Sequence, residues 1–173
     1  MRLMVTGAAG FIGTHFINRV WQDHWLIGID KIGDRICAHD LRRPIQDGLY
    51  HNIDVIIHFA ASSCIRSCNL VPVDTYLNNV SSLLHILDLA NRLNSRVIFI
   101  SSSNATTPIS NVYGLSKHAC EDIIHFYRSF YKTRISIVRP FNVYGPGSTK
   151  SVINIFQQQY LERKPLTITG DGN

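Results

Sequence analysis

The sequence lacks any apolar run long enough to span a bilayer, and no basic-then-apolar leader stands ahead of Met1-Arg2-Leu3. The expectation is a cytoplasmic protein, with no membrane contact. Cysteine is scarce, and Cys37, Cys64, Cys68 and Cys120 form neither a Cys-x-x-Cys pair nor a zinc-ribbon spacing. Cys64 and Cys68 can share a helical face, but the four read as reduced, structural thiols, with no metal site. Charge is also sparse. The surplus of +5 is scattered over Arg42-Arg43, Arg66, Arg128, Lys132 to Arg134 and Arg163-Lys164, with no dense or aromatic-interleaved basic block. Nucleic acid is therefore excluded as a partner, whereas phosphorylated small molecules suit the charge. Apolar residues at 45% against 17% charged are the proportions of a globular chain, and 173 residues suffice for a real core.

What is present begins at Leu3-Met4-Val5, an apolar run leading into Thr6-Gly7-Ala8-Ala9-Gly10-Phe11-Ile12-Gly13. Helical spacing follows at Phe11, Ile12, Phe16, Ile17, Val20 and Trp21. Strand, glycine-rich turn and helix in that order make a cradle for a dinucleotide pyrophosphate. Gly7 permits the turn, Gly10 lets backbone N–H groups approach the phosphates, and Gly13 lets the helix pack closely. The helix N-terminus supplies donors and partial positive charge. Trp25 to Ile29 reads as a second strand ending at Asp30, where a carboxylate meets the ribose hydroxyls of an adenosine and repels a 2′-phosphate. NAD is thus expected over NADP, with Lys31 pulling slightly the other way.

Ile36-Cys37-Ala38 predicts a brief strand that delivers Asp40-Leu41 near the adenine. Val55 to Phe59 and Val97 to Ile100 are continuous apolar runs, the signature of parallel strands buried on both faces. Ala60-Ala61 after the first of these leaves room for a cofactor, and His58 reads as a packed, hydrogen-bonded histidine. Residues 74–94 carry the broadest helical stripe, with Asn79 inside it as a structural tie or part of a polar site. Ser101-Ser102-Ser103 ends the next strand, and a polar loop from Asn104 to Val112 leads to a helix from Tyr113 to Tyr131. Ile135 to Val138 predicts a sixth strand closing on Arg139-Pro140; a helix from Val152 to Glu162 and a β-prone Leu166 to Thr169 follow. Alternating strands and helices argue for an α/β fold, a doubly wound parallel sheet in the order 3-2-1-4-5-6.

Tyr113 and Lys117 stand four residues apart, on one helical face. A free tyrosine titrates near ~10. A cation beside it lowers that value, which lets the phenol take a proton from a sugar hydroxyl while hydride leaves the carbon. Lys117 is also placed to hold the nicotinamide ribose. A serine at the strand end would hydrogen-bond the same reacting oxygen.

Taken with Asp30, Asp40-Leu41, His58-Phe59-Ala60-Ala61, Asn79-Val80 and Arg139-Pro140-Phe141-Asn142-Val143-Tyr144-Gly145-Pro146-Gly147, these motifs make the whole chain resemble the extended short-chain dehydrogenase/reductase family of nucleotide-sugar epimerases and dehydratases. The resemblance implies a Rossmann domain over 1–143 and the beginning of a substrate-binding region over 144–173. It implies Tyr113 as acid/base, Lys117 as its partner, and Ser103, with Ser102 as runner-up, as the hydroxyl-binding serine. The cofactor-binding set is Gly7, Ala9, Gly10, Phe11, Ile12, Gly13, Asp30, Asp40, Leu41, Phe59, Ala60, Ala61, Asn79, Ser101, Tyr113, Lys117 and Pro140. Ser103, Arg66 and Asn142 are expected to touch the substrate.

Ser103 is followed by Asn104-Ala105 rather than the Asp-Glu pair of 4,6-dehydratases, and the cysteine of fucose-type epimerase-reductases is absent. What remains looks like a UDP-glucose 4-epimerase type. The alternatives are a 4-keto-sugar reductase and an NAD-binding module with little catalysis. The nine residues between Ser103 and Tyr113 are fewer than family members usually carry, and Gly170 to Asn173 falls inside a motif that they continue. The isolated chain is therefore expected to hold NAD but to epimerise UDP-sugars slowly or not at all, unless a partner chain or a different, smaller substrate completes the pocket. A homodimer is expected through helices 74–94 and 113–131, with Leu84, Leu87, Ile124 and Phe130 as apolar surplus.

Overall fold

The computed structural model describes residues 1–168 except 34, 35, 47, 49, 108, 109, 149 and 150. Six parallel strands form one sheet: β1 (Arg2–Thr6), β2 (Trp25–Asp30), β3 (Cys37–Ala38), β4 (Val55–His58), β5 (Arg96–Ile100) and β6 (Ile135–Val138). Their order is β3-β2-β1-β4-β5-β6, as the alternation predicted. Helices α1 (Phe11–Val20), α2 (Ile65–Leu70), α3 (Pro72–Leu93), α4 (Val112–Phe130) and α5 (Val152–Leu161) complete the described elements, with a 3-10 turn at Ser103–Thr106. The sequence reading had no counterpart for α2 as an element or for the 3-10 turn.

The pleat sorts the core into two layers. Leu3, Val5 and Ile57 face α1, meeting Phe16, Ile17 and Val20. Met4, Ile56, Val97 and Phe99 face the other way, into a larger cluster with Leu83, Ile86 and Leu87 of α3 and Cys120 and Ile124 of α4. Successive residues of one strand thus serve opposite layers, which is why these strands read as unbroken apolar runs. Pro at the start of α3 needs no N–H there, and Asn94 ends that helix in the left-handed conformation at φ 53°.

Two expectations are corrected here. Leu87 and Ile124 are fully buried in the core and unavailable to a partner, whereas Leu84 and Phe130 are exposed. Leu166 to Ile168 form no strand; the Thr167 N–H donates to Gln159 Oε1 (3.2 Å) instead of to a ladder, and Thr169 lies outside the described residues.

The chain divides into two compact units, Met1–Pro140 and Phe141–Asn173. All six strands lie in the first. The second holds α5, which buries none of its residues and is capped where Ser151 Oγ accepts from the Asn154 N–H (3.2 Å). Cys68 and Cys120 are buried, and Cys37 and Cys64 are exposed. Among the described residues no helix is long and apolar enough to cross a membrane.

Candidate active site

Because every strand is parallel, the C-terminal ends of all six lie along one edge of the sheet, and Thr6, Asp30, His58, Ser101 and Arg139 stand at or just past them. The turn after β1 is built for close backbone approach. Gly7 has φ +70°, and a Cβ on it would stand 2.7 Å from the Ala60 nitrogen. A Cβ on Gly13 would stand 2.1 Å from the Gly7 carbonyl oxygen, so this glycine seats the helix on the turn itself. α1 starts at Gly10 with no side-chain cap and no acid in its first turn, which leaves its leading N–H groups free for an anion. Ala9 is exposed, and Phe11 and Ile12 are half-buried at the mouth of this turn.

Asp30 closes the cradle from β2. Its Oδ2 accepts from the Ala9 N–H (3.0 Å) and its Oδ1 from the Lys31 N–H (2.7 Å). The Lys31 ammonium does not stand free beside it; it donates to Asn78 Oδ1 (2.8 Å) and lies 3.6 Å from Asp40. Asp40 is gripped through both carboxylate oxygens by Arg42, whose hydrogen bonds hold the carboxyl well below the usual range despite some burial. The narrow glycine cradle, the open helix start and the carboxylate at the β2 end together fit the pyrophosphate and adenosine ribose of a dinucleotide.

Other expected cofactor neighbours divide. The Ala60 N–H reaches Thr6 Oγ1 (3.4 Å), and Ala60 and Ala61 are half-buried beside the turn. Phe59 packs on Phe16, with ring centroids 5.6 Å apart. Leu41 instead faces the core, and its carbonyl accepts from His85 Nδ1 (2.7 Å). His58 is buried as expected, with Nδ1 2.7 Å from Thr6 Oγ1; its Nε2 meets no protein partner, and burial followed by the Lys117 charge pushes its pKa down to about 3.

Tyr113 sits in the first turn of α4, and that turn is held twice. Asn111 caps it by accepting from the Gly114 N–H (2.7 Å), and Asn69 of α2 accepts from the Val112 N–H (3.0 Å). The Ser102 hydroxyl oxygen accepts from the Asn104 backbone N–H (3.2 Å) and from Asn104 Nδ2 (3.3 Å). Burial pushes the Tyr113 phenol pKa up, and the nearby Ser102 hydroxyl only partly offsets it.

This corrects the expected effect of Lys117. The ammonium is buried, donates to the Ile100 carbonyl (2.7 Å) and lies 4.5 Å from the centre of the Phe99 ring. Desolvation pushes it down to about 8, against the raising influence of Cys120 and Glu121. It thus underpins the end of β5 instead of lowering the phenol.

Ser103 opens the 3-10 turn half-buried, and its N–H donates to the Pro140 carbonyl (3.1 Å). Ser101 is buried and donates to Glu121 Oε1 (2.5 Å). Glu121 also accepts from Arg139 Nε (2.8 Å) and Nη2, which ties β5, α4 and the end of β6 together. Asn79 accepts from the Ser62 N–H (2.7 Å) and donates to Ser116 Oγ (2.9 Å), lacing α3 to α4. Arg66 is exposed in α2, and Asn142 is exposed in the second unit.

The sequence reading passed over Asn104, Asn111, Asn69 and the Glu121–Arg139 pair. Asn111 had a signal, a capping residue directly ahead of a helical pattern. Glu121 had one too, at the i+4 position from Lys117. Asn69 had none, since its partner is 43 residues away.

A family model described as the NAD dependent epimerase/dehydratase family matches residues 3–173. The chain is 29% identical to the uncharacterized UDP-glucose epimerase YtcB of Bacillus subtilis, over 99% of this chain and 66% of that protein. It is 26% identical to UDP-glucuronic acid decarboxylase 2 of Arabidopsis thaliana, over 99% of this chain and 46% of that one. The solved structure of UDP-glucuronic acid 4-epimerase from Bacillus cereus in complex with NAD superposes with a TM-score of 0.87 at 27% identity, covering 99% of this chain and 66% of that one. The chain therefore spans about two thirds or less of these relatives' length.

Proposed function

Because this chain belongs to the NAD dependent epimerase/dehydratase family, we propose that it serves a nucleotide-sugar 4-epimerase of the UDP-glucose/UDP-galactose type. Bound NAD supplies the hydride acceptor for the sugar C4 carbon and the donor that returns it. Every other duty falls to side chains described above. Tyr113, as the phenolate, takes the proton of the 4-hydroxyl as hydride leaves C4, and the phenol so formed gives it back when hydride returns. Ser102 orients that phenol, and the Ser103 hydroxyl holds the reacting oxygen. Asp30 receives the adenosine ribose, the α1 N-terminus receives the pyrophosphate, and Arg66 meets the substrate.

The observation that carries this reading is the placement of Tyr113 in the first turn of a helix held by Asn111 and Asn69, beside the Ser102 hydroxyl that acts on its phenol. Burial holds the Tyr113 phenol protonated in the ligand-free chain; to act as a base it must first give up that proton, which the positive charge of an oxidised nicotinamide would favour. Leu84 and Phe130, exposed on α3 and α4, suit a homodimer through those helices.

The test is UDP-galactose with saturating NAD. The chain should form the 4-epimer, and Tyr113→Phe should slow it by about 100-fold or more while leaving NAD affinity within about twofold. A Phe variant at the wild-type rate removes the acid/base assignment. No interconversion by the wild type refutes the epimerase reading.

A further inference from the structure

Two consecutive asparagines in the first half of α3 are both buried, Asn78 at 9% exposure and Asn79 at 2%. Asparagine is a weak helix former because its amide competes for backbone groups, so a buried pair needs compensating bonds. Asn79 reads both backbone groups of Ser62, accepting from its N–H (2.7 Å) and donating to its carbonyl (3.0 Å). Asn78 Nδ2 donates to Asn79 Oδ1 and to Ser62 Oγ, each at 3.2 Å. Its Oδ1 takes the Lys31 ammonium at 2.8 Å. On the far side, Asn79 Nδ2 donates to Ser116 Oγ, which donates to the Tyr113 carbonyl (2.8 Å). An unbroken line of hydrogen bonds thus runs from the residue after Asp30 to the first turn of α4.

We infer that Asn78 is a positioning residue, and that the line Lys31–Asn78–Asn79–Ser116 couples the adenosine end of the nucleotide site to the turn that carries Tyr113. This rests on the reading of Asp30 and Asp40 as that end. The two ends of the line differ in kind. Lys31 is 46% exposed and shares its charge between Asn78 and Asp40, so a ligand group that engages Asp30 or Asp40 shifts the share. Ser116 is wholly buried, where a hydrogen bond is stronger and its geometry strict. A ligand that draws on Asp40 leaves Lys31 more firmly on Asn78, and the tightened line then restrains the α4 turn. The acid/base is thereby set only when a nucleotide is seated, which matters because catalysis falls steeply with misplacement of about 1 Å.

Adenosine monophosphate is the probe, since it carries the adenosine end and lacks the nicotinamide half that would approach Tyr113. Amide hydrogen exchange is followed on the 173-residue chain with and without saturating AMP. In the wild type AMP should slow exchange at Gly114 to Lys117 by about fivefold or more. Lys31→Met, a surface change, should still bind AMP but lose that protection, and Asn78→Ala should do the same. A merely structural Asn78 would change exchange in the free protein without removing the response to AMP. Bound AMP with no protection at α4, or equal protection in Lys31→Met, overturns the coupling. No AMP binding by the wild type overturns the nucleotide-site reading, and the coupling with it.

Discussion

Replacing Glu121 by Gln keeps the shape of a 5% exposed side chain and removes only its charge. The carboxylate accepts from Ser101 Oγ at 2.5 Å and from Arg139 Nε at 2.8 Å, with Arg139 Nη2 on its other oxygen. The amide keeps one acceptor oxygen but turns an NH2 group toward a donor. Hydrogen bonds to a charged group contribute about 1.5–3 kcal/mol each. Water reaches the Arg139 side, whose side chain is 48% exposed, and that screening moves the expectation to the low end. The variant should be less stable by about 2 kcal/mol, which at a urea slope of about 2 kcal/mol/M lowers the midpoint by about 1 M.

The acid limb gives an independent check. Burial pushes this carboxyl up, and the Arg139 and Ser101 bonds more than offset it, so the folded chain holds it below its ordinary 4.5. As pH falls the unfolded chain binds the proton first. The stabilisation is therefore complete above about pH 4.5 and is lost as pH drops through the folded value. The gap between wild type and Glu121→Gln should close over that same fall. Urea melts at several pH values, with Arg139→Met and the double variant alongside, decide it. A Gln variant within about 0.5 kcal/mol of wild type, or fully additive single changes, would refute the clasp.

Gly13→Ala should fail to hold the native β1–α1 turn, because its Cβ would stand 2.1 Å from the Gly7 carbonyl; a far lower melting temperature and lost NAD binding are expected by circular dichroism and calorimetry. Asp30→Ala releases the Ala9 and Lys31 N–H groups, and NAD affinity should fall about tenfold or more in a calorimetric titration, with the preference over NADP narrowed. Lys117→Met should stabilise the chain at pH 7, because it removes a buried charge pushed down to about 8 by desolvation. The unfolded chain holds that proton up to its ordinary 10.5, so the wild type gains stability as pH rises from about 8 and the Met variant's advantage should shrink over that span in urea melts.

The strands and their order were legible because burial on both faces writes itself as continuous apolar runs, as in Val55 to His58 and Val97 to Ile100. The cradle was legible because its glycines answer to backbone sterics within a few residues. What escaped depends on where long side chains end. Lys117 and Tyr113 share a helical face, but only the packing of Phe99 and the free carbonyl of Ile100 decide where the ammonium goes. Leu87 and Ile124 lie in the core and not on a partner surface, because periodicity marks an apolar stripe without telling how wide a core it meets. Leu166 to Ile168 has strand propensity, yet propensity is expressed only against a paired neighbour.

The two rims of the sheet bear on how the protein behaves in concentrated solution. Open strand edges recruit foreign strands and seed fibres. On one rim β3 is two residues long, so an incoming peptide finds almost no ladder to copy. On the other, Ile135 to Val138 is the kind of short apolar β-segment that aggregates readily, and Arg134 and Arg139 stand at its two ends. Flanking charges of that kind act as gatekeepers, since each added copy would stack like charges at the strand spacing of about 4.8 Å. The clasp on Glu121 thus has a second consequence: it keeps one of the two gatekeepers at its post.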